Sequence, residues 1–283
     1  MVSDFQFLSR APGPQLVGLV ESYWYARGTI GHESELIAPT GSVVAAFVFG
    51  SPIVQTSRGG RGEAFVACTG FVIGPHDQPI RNSPTAETHA LGVVLHPAAC
   101  GRVLAASVRD LRGRVAGLDA VAPHLAAHRG ALGAVADRSP ELALDALDRI
   151  LTEGLAASDA AAEQVTRAIA SIEADPIRPI GEIAADLGVS HTRLDRDFRR
   201  VVGLAPRSLA RIVRLRRLLD ALDTFGDTVR WADLAASLGW YDQSHLIRDF
   251  RRHTGVTPSE YVRAQRRHYS PDDAAPGFVP GAG

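Results

Sequence analysis

The string RDFRR occurs twice in this chain of 283 residues, at Arg196–Arg200 and at Arg248–Arg252. Each copy places three guanidinium groups within five residues. A guanidinium group forms bidentate hydrogen bonds with guanine and ion pairs with phosphate. Similar charge patterns also occur on solvated, salt-bridged helix faces that bind no ligand. The string therefore indicates either an anion-binding surface or a charged helix face, and its surroundings are needed to separate the two.

The repeat extends beyond the arginines. Four pairs of identical residues stand 52 positions apart: Leu194 and Leu246, Phe198 and Phe250, Gly203 and Gly255, and Pro206 and Pro258. Further upstream, the Leu-Gly pairs that begin at Leu187 and Leu238 stand 51 positions apart. The difference of one residue falls in the loop after the glycine, where an insertion is tolerated best. The sequence therefore predicts a duplicated structural unit.

Each copy has the pattern of a helix-turn-helix. A short apolar helix is predicted to end at Gly188 or Gly239, because a left-handed C-cap favours glycine. Ser190 and Asp242 are then the predicted N-caps of the second helices. The predicted core consists of apolar residues at helical spacing: Ile183, Leu187, Leu194, Phe198, Leu234, Leu238, Leu246 and Phe250. A two-helix unit with a basic second helix is the arrangement that reads DNA in the major groove.

The charge of the chain divides in the same way. Residues 1–160 carry twelve arginines and fifteen acidic residues, whereas residues 188–268 carry sixteen arginines and nine acidic residues. An acidic first part and a basic second part fit an effector module joined to a nucleic-acid module. On charge alone, a salt-bridged helical face fits equally well.

The segment between the copies, Pro206–Asp223, is predicted to be one long helix. Its arginines recur on one face, and its leucines and valine form an apolar stripe on another. Eighteen helical residues span roughly 27 Å. With the offsets of the flanking helices, this length suits two recognition helices about 34 Å apart, which is one turn of DNA. One chain is therefore expected to address two successive segments of the major groove.

Residues 164–268 resemble the DNA-binding domain of the AraC/XylS family of bacterial transcriptional regulators. The second copy carries most of the family's signature: Gly239, Trp240, Ser244, Leu246, Arg248, Phe250, Arg251, Gly255, Thr257, Pro258, Tyr261 and Arg263. Trp240 stands where phenylalanine is commoner, and Arg263 follows Tyr261 by two residues instead of one. The resemblance implies seven helices, with two helix-turn-helix units joined by one long helix.

The resemblance also implies which residues meet DNA. The base-reading positions of the family fall on the outward residues of the second helices: His191, Thr192, Asp195, Arg196, Gln243, Ser244, His245 and Arg248. Arginine suits guanine and glutamine suits adenine, whereas Asp195 suits either a cytosine amine or a salt bridge. The arginines expected to contact phosphate, and so to position the domain without specifying sequence, are Arg200, Arg207, Arg211, Arg214, Arg217 and Arg252.

The first hundred residues have a different pattern. Short β-branched runs alternate with Gly and Pro, which predicts an all-β barrel or sandwich, and the chain becomes helical after Pro97. This half resembles the cupin-like domain of the same family. We therefore expect an α+β protein with a cupin-like effector or oligomerisation domain over 1–157, a DNA-binding domain over 160–268 and a flexible tail over 269–283.

The sequence predicts no cofactor and no metal site. His32, His76, His89 and His96 do not form the H-x-H pair followed by Glu that metal-binding cupins present. Cys68 and Cys100 are too few for a disulfide framework. Both cysteines lie in apolar runs, so the first interpretation is that they are small buried residues, and a redox-sensing pair is the alternative.

The expected partner is double-stranded DNA, with a small-molecule effector, a second copy of the chain, and RNA polymerase if the protein is an activator. Leu144, Leu147, Leu151 and Leu155 of the segment Pro140–Leu155 either pair two protomers or pack on the barrel. No apolar run approaches a membrane span and no secretory signal is present, so a cytoplasmic location is expected.

Enzyme functions are the main alternative. A DNA-repair methyltransferase that carries the same helix-turn-helix pair needs several zinc-binding cysteines and a nucleophilic one, and this chain has two cysteines in all. A barrel enzyme with a helix-turn-helix appendix is expected to show a G-x-S-x-G, phosphate-loop or H-E-x-x-H motif, and none occurs. The sequence therefore favours a regulator without catalytic activity.

Overall fold

The computed structural model describes residues 5–104, 106–156, 160–224, 231–268 and 277–280. The strands lie in the first half, apart from one short strand near the C-terminus. They are β1 (Gln6–Arg10), β2 (Val20–Gly28), β3 (Glu35–Ile37), β4 (Val43–Val48), β5 (Ile53–Thr56), β6 (Ala64–Ala67), β7 (Gly70–Ile73), β8 (Ile80–Pro84), β9 (Thr88–Leu95), β10 (Val115–Gly117) and β11 (Phe278–Pro280).

The strands form two antiparallel sheets. The six-stranded sheet has the order β1-β2-β9-β4-β7-β10, and the five-stranded sheet has the order β11-β3-β8-β5-β6. The long strand β9 pairs with both β2 and β4 and is buried along almost its whole length. The sheets stay separate, so the first domain has a cupin-like, mainly β architecture without a closed barrel. The α+β two-domain class predicted from the sequence is confirmed.

The described residues of the first half form six helices, most of them a single turn. They are α1 (Ser57–Gly60), α2 (Cys100–Val103), α3 (Leu118–Val121), α4 (Pro123–Ala126), α5 (Arg129–Ala136) and α6 (Pro140–Gly154), and a 3-10 turn covers Pro14–Leu16. Helix α6 begins at Pro140, and the Ser139 hydroxyl caps it by accepting a hydrogen bond from the Leu142 amide at 3.2 Å.

Helix α6 packs against the strands of the first domain through its buried leucines. Leu144, Leu147 and Leu151 are buried in the same core as the strands, and Leu155 packs against that core. Of the two roles open for these leucines, the structure shows packing within the protomer. They do not form an exposed face for a second copy.

The second half is mainly helical over 160–224 and 231–268. Its helices over 160–224 and 231–268 are α7 (Ala160–Ala174), α8 (Ile180–Asp186), α9 (His191–Val202), α10 (Pro206–Thr224), α11 (Trp231–Ser237), α12 (Gln243–Thr254) and α13 (Pro258–His268). These are the seven helices that the resemblance implied. Helix α10 is the long connection, and buried leucines on it contribute to two separate cores, one for each flanking unit.

The C-terminal tail returns to the first domain. β11 pairs antiparallel with β3, with Val279 opposite Leu36. The backbone amide of Gly277 donates a hydrogen bond to the Tyr261 hydroxyl at 3.1 Å. The expectation of a flexible tail is therefore wrong at Phe278–Pro280, because these residues complete the edge of a sheet, whereas 269–276 and 281–283 lie outside the described residues.

The two halves also share their cores. Ala98 packs in the core around α9, and Ala38 and Val279 pack in the core around α12. A Cβ atom added to Gly41 would lie 2.6 Å from Leu209 Cδ1, so α10 approaches the first domain closely. None of the helices in the described part of the chain is long and apolar enough to cross a membrane.

Candidate nucleic-acid interface and adjoining cavity

The first helix-turn-helix unit consists of α8 and α9. The chain turns between them at Gly188, which has a φ of 69°. The Ser190 hydroxyl then caps α9 by accepting a hydrogen bond from the Arg193 amide at 3.2 Å. Leu194 and Phe198 face inward and are buried, and Gly203 ends the helix with a φ of 77°.

The second unit, α11 and α12, repeats this geometry. Gly239 has a φ of 77°, and the Asp242 carboxylate accepts a hydrogen bond from the His245 amide at 2.6 Å. Phe250 is buried with its ring edge-on to Tyr261, at 5.6 Å between ring centroids. Gly255 ends α12 with a φ of 84°. Both predicted caps and both predicted C-terminal glycines are therefore present in the structure.

The predicted core residues differ in depth. Ile183, Leu194 and Phe198 of the first unit are buried, as are their counterparts Leu234, Leu246 and Phe250 of the second (these six residues form the centres of the two units). Leu187 and Leu238 are half-buried, because each stands at the C-terminal end of its first helix, where the chain turns away from the core.

The predicted base readers fall into two groups. Six are exposed on the outer faces of α9 and α12, namely His191, Thr192, Arg196, Gln243, Ser244 and Arg248. The other two are half-buried and paired within their own helices. Asp195 accepts a hydrogen bond from Arg199 Nε at 2.8 Å, and His245 Nε2 lies 3.7 Å from Asp249 Oδ2. For Asp195, the geometry favours the salt bridge over cytosine recognition.

Arg196 and Arg248 occupy equivalent positions with different neighbours. Arg196 Nε lies 3.5 Å from Asp197 Oδ1, and its side chain is 74% exposed. Arg248 has no ion-pair partner among the described residues, since Asp249 turns toward Trp240 and accepts a hydrogen bond from its Nε1 at 3.1 Å. Both guanidinium groups therefore remain accessible for hydrogen bonds to bases.

The arginines expected at phosphates are not all exposed. Arg200, Arg207 and Arg211 lie on the surface. Arg214 instead stacks on Trp240, with 4.2 Å from its Cζ to the ring centroid, and burial lowers its pKa. Arg217 donates hydrogen bonds to the carbonyls of Glu173 and Ala174 at the C-terminal end of α7. Both arginines hold helices together, so this geometry does not suit the phosphate role expected for them.

Arg252 meets the first domain. Its Nη2 lies 3.2 Å from Asp77 Oδ2. The adjacent His253 is buried, and its Nδ1 donates a hydrogen bond to the Asp77 carbonyl at 2.7 Å. Burial lowers the pKa of His253, which agrees with a neutral ring that donates through one nitrogen. The segment around Asp77 therefore fixes the C-terminal end of α12 to the first domain.

A cavity of about 400 Å³ lies beside this interface. Both sheets and α10 line it, through Arg216, Leu219 and Asp220 of that helix. Its polar wall includes Glu21, Glu35, Gln55, Asn82 and Thr88, none of which stood out in the sequence. These residues alternate with apolar neighbours along short strands, a pattern typical of any half-buried strand, so only the packed sheets identify them.

Four of the cavity's charged or titratable groups lie in pairs. Arg216 Nη1 donates hydrogen bonds to Glu21 Oε2 at 3.1 Å and to the Thr40 carbonyl at 3.4 Å. His32 Nε2 lies 3.5 Å from Glu35 Oε2. The contact between Arg216 and Glu21 joins α10 to the strand β2, so the cavity wall itself bridges the two halves of the chain.

The cysteines lie in different environments. Cys68 is exposed, which corrects the expectation that it is buried, because it lies in the turn between β6 and β7. Cys100 is buried, and burial raises its pKa to about 12, so its thiol stays protonated. The described residues contain no group of three or more His, Cys, Asp or Glu that could hold a metal ion.

Two family models match the chain. A model described as "Helix-turn-helix domain" matches residues 183–264, which span both units and the helix between them. This match supports the similarity of the second half to the DNA-binding domain of AraC/XylS transcriptional regulators. A second model, "Domain of unknown function (DUF6597)", matches residues 9–116 of this regulator and so covers most of the β domain. A search of curated proteins found no match.

Several solved structures are similar to this chain, and the first of those described here shares its two-domain fold. An apo variant of ToxT from Vibrio cholerae is 10% identical, with a TM-score of 0.50 over 90% of this chain and 99% of that one. A ToxT structure with bound unsaturated fatty acid, from the same organism, has 10% identity and a TM-score of 0.46, covering 93% and 95% of the two chains. A probable AraC family regulator from Rhodopseudomonas palustris is 28% identical, with a TM-score of 0.33, over 38% of this chain and 99% of that one.

Proposed function

We propose that this regulator binds its operator through α9 and α12 and responds to a small molecule held in the cavity of the first domain. The helix-turn-helix match over residues 183–264 supports DNA binding by a transcriptional regulator. The response to a ligand goes beyond this, and the position of the cavity against α10 supports it. We place this activity in the cytoplasm, where the chromosome is, and assign no catalytic reaction to the chain.

The shared wall of the cavity is the observation that carries the proposal. Arg216, Leu219 and Asp220 contribute to the cavity from α10, the helix that separates the two helix-turn-helix units. A ligand in the cavity therefore touches the element that sets the spacing of the two units. A ligand biases DNA binding only through different affinities for two arrangements of the protein, and a direct contact with α10 supplies such a difference.

The DNA contacts follow from exposure and chemistry. We assign base reading to the exposed group, led by Arg196 and Arg248, because arginine pairs with guanine and both side chains are accessible. We assign phosphate contacts to Arg200, Arg207 and Arg211, together with Arg252 once it leaves Asp77. Arg214 and Arg217 are left out because each already holds a neighbouring element.

Protein partners form the remaining part of the proposal. A second copy of the chain would place four recognition helices on a repeated site, and it would use a surface other than the buried leucines of α6. RNA polymerase is the expected partner if the regulator activates transcription. Sedimentation on DNA with one and with two half-sites measures the first of these associations.

Genome-wide mapping of bound DNA gives the operator, and fluorescence anisotropy of the full chain on that operator then tests the proposal. With the four phosphate contacts assigned above, the affinity is expected to fall by about 10² between 50 and 200 mM salt. A random duplex of equal length is the control for specificity. Affinity that does not change with salt would contradict a DNA interface built from these arginines.

A further inference from the structure

The wall of the cavity is mainly apolar, and aromatic rings form one part of it. Phe7, Trp24 and Phe71 contribute rings from the six-stranded sheet, and Phe278 contributes one from the short strand β11. Ligand sites of this kind bury an apolar body and orient it by a few polar groups. Aromatic rings favour a flat aromatic ligand, because offset and edge-on ring contacts add to the burial of apolar surface.

A chain of hydrogen bonds crosses the polar part of the wall. Asn82 Nδ2 donates to Glu35 Oε1 at 2.9 Å, and Gln55 Nε2 donates to Asn82 Oδ1 at 3.1 Å. An ionised carboxylate only accepts hydrogen bonds, so Glu35 fixes which end of the Asn82 amide faces it. That orientation in turn fixes Gln55, whose amide must donate toward Asn82. The chain therefore ends in an acceptor, Gln55 Oε1.

This terminal acceptor lacks a partner. Gln55 is 1% exposed and lines the cavity, and its Oε1 accepts no hydrogen bond from the described residues. The hydroxyl of Thr88, on the opposite sheet, also lines the cavity, is buried, and has no partner in the same part of the chain. A buried polar atom without a partner is costly, so a ligand that donates a hydrogen bond to Gln55 gains more than one that does not.

The charges of the wall oppose an anionic ligand. Glu21, Glu35 and Asp220 place three carboxylates around the cavity. Arg216 is held by Glu21, and His32 by Glu35. Among the described lining residues, no arginine remains uncommitted, and burial together with the neighbouring His32 lowers the pKa of His268. A ligand carboxylate would enter without a cation to compensate for its lost hydration.

We infer that the ligand is an uncharged, mainly aromatic molecule that carries a hydroxyl group and no carboxylate. Its rings lie among the aromatic side chains, and its hydroxyl donates to Gln55 Oε1. This inference rests on the proposed function only in taking the cavity as the effector site. The chemistry of the ligand follows from the wall alone.

Three probes of similar size test the inference by isothermal titration calorimetry on the full chain. 2-Naphthol offers a donor, 2-methoxynaphthalene lacks it, and 2-naphthoate carries a charge. We expect 2-naphthol to bind about tenfold to hundredfold more tightly than the methyl ether, since the ether leaves Gln55 Oε1 unpaired. We expect 2-naphthoate to bind most weakly. Equal binding of all three, tightest binding of 2-naphthoate, or no binding of any would overturn the inference.

Variants connect the preference to the wall. Glu35→Gln removes the group that fixes the amide orientations, so Gln55 becomes free to turn its Nε2 into the cavity. The preference for 2-naphthol over the methyl ether is then expected to shrink to about twofold or less. Thr88→Val is expected to weaken 2-naphthol binding several-fold, whereas Thr85→Val, an exposed residue outside the lining, leaves it unchanged. An unchanged preference in Glu35→Gln would refute the role of the amide chain.

A second measurement separates this inference from the proposed function. The affinity of the full chain for its operator is measured with and without saturating 2-naphthol. A selective ligand that leaves DNA affinity unchanged supports the inferred ligand class and contradicts the effector role. A change in DNA affinity caused by 2-naphthoate and not by 2-naphthol supports the effector role and overturns the inferred class.

Discussion

The two helix-turn-helix units share a sequence pattern and differ in what surrounds it. Each has a capped second helix, a buried phenylalanine at its centre and a left-handed glycine at its end. These shared features form within about thirty residues of chain. The duplication therefore reproduces the local structure of the unit nearly unchanged.

The equivalent aspartates show the first difference. Asp197 of the first unit lies 3.6 Å from Arg193 and 3.5 Å from Arg196, so it neutralises charge on its own helix. Asp249 of the second unit accepts a hydrogen bond from Trp240, and Arg248 has no ion-pair partner among the described residues. Trp240, which stands where phenylalanine is commoner, thus holds Asp249, so Asp249 does not neutralise the charge of Arg248 on α12.

The contact with the first domain is the second difference. A Cβ atom added to Gly203 would lie 2.9 Å from Pro75, so the first unit meets this region by close apolar packing. The second unit meets the neighbouring Asp77 through the ion pair of Arg252 and the hydrogen bond of His253. Identical arginines in a repeat therefore take different roles when only one of them faces another domain.

The shared cores predict the largest effect. Phe198→Ala and Phe250→Ala are each expected to lower the free energy of unfolding by about 3–5 kcal/mol, because each leaves a cavity where a large ring was fully buried. Thermal or urea unfolding of the full chain measures the loss. Tyr241→Ala is the control, since that ring is 93% exposed and its loss is expected to cost within about 0.5 kcal/mol.

A large difference between the two phenylalanine variants would contradict the similarity of the two units in their cores. It would mean that one unit draws its stability from the first domain instead of its own core. Such a contribution is expected first in the unit of Phe250, because Val279 and Ala38 also pack in its core.

The exposed arginines predict the next effect. Arg196→Ala and Arg248→Ala are each expected to cost about 1–3 kcal/mol of operator affinity and to relax the preference at one base position. Arg211→Ala is the matched control, because a phosphate contact weakens operator and random DNA alike. Anisotropy titrations on single-base variants of the operator distinguish the two behaviours. Equal losses on both DNAs for all three variants would contradict the assigned roles.

The second half was largely predictable from the sequence because its features are local. The caps Ser190 and Asp242 and the glycines after each helix act on residues within one turn, so spacing alone identifies them. The long connecting helix was also predictable, since its apolar stripe continues through α10.

Side chains that contact distant segments were not predictable. Arg214 and Arg217 belong to the same basic face in the sequence, yet one stacks on Trp240 and the other caps α7. Which arginines stay exposed depends on the crossing of helices, and a linear pattern does not contain that information. The same holds for β11, which pairs with a strand more than two hundred residues away.

The cavity shows most clearly which features the sequence alone could not predict. Gln55 and Asn82 come from adjacent strands of one sheet, and Thr88 comes from the other sheet. Their common position depends on strand order and register, which short strands rich in Gly and Pro specify only weakly. The sequence therefore indicated a β domain able to hold a ligand without indicating where.

The contact of Arg252 with Asp77 predicts the smallest effect. If Arg252 leaves Asp77 to contact phosphate, the ion pair opposes DNA binding. Asp77→Asn removes the charge and keeps the backbone carbonyl that accepts from His253. We expect this variant to bind the operator a few-fold more tightly, a gain of about 0.2–1 kcal/mol typical of an exposed ion pair.

A double-mutant cycle sharpens this test of the difference between the units. Asp77→Asn in an Arg252→Ala background is expected to give no gain, because the arginine that it releases is absent. Asp145→Asn is the matched control, since it removes one carboxylate that pairs with Arg10 elsewhere in the first domain. A gain of similar size in Asp145→Asn would reflect net charge alone. A gain in Asp77→Asn that persists without Arg252 would mean that the first domain restrains the second unit by another contact, with His253 as the next residue to change.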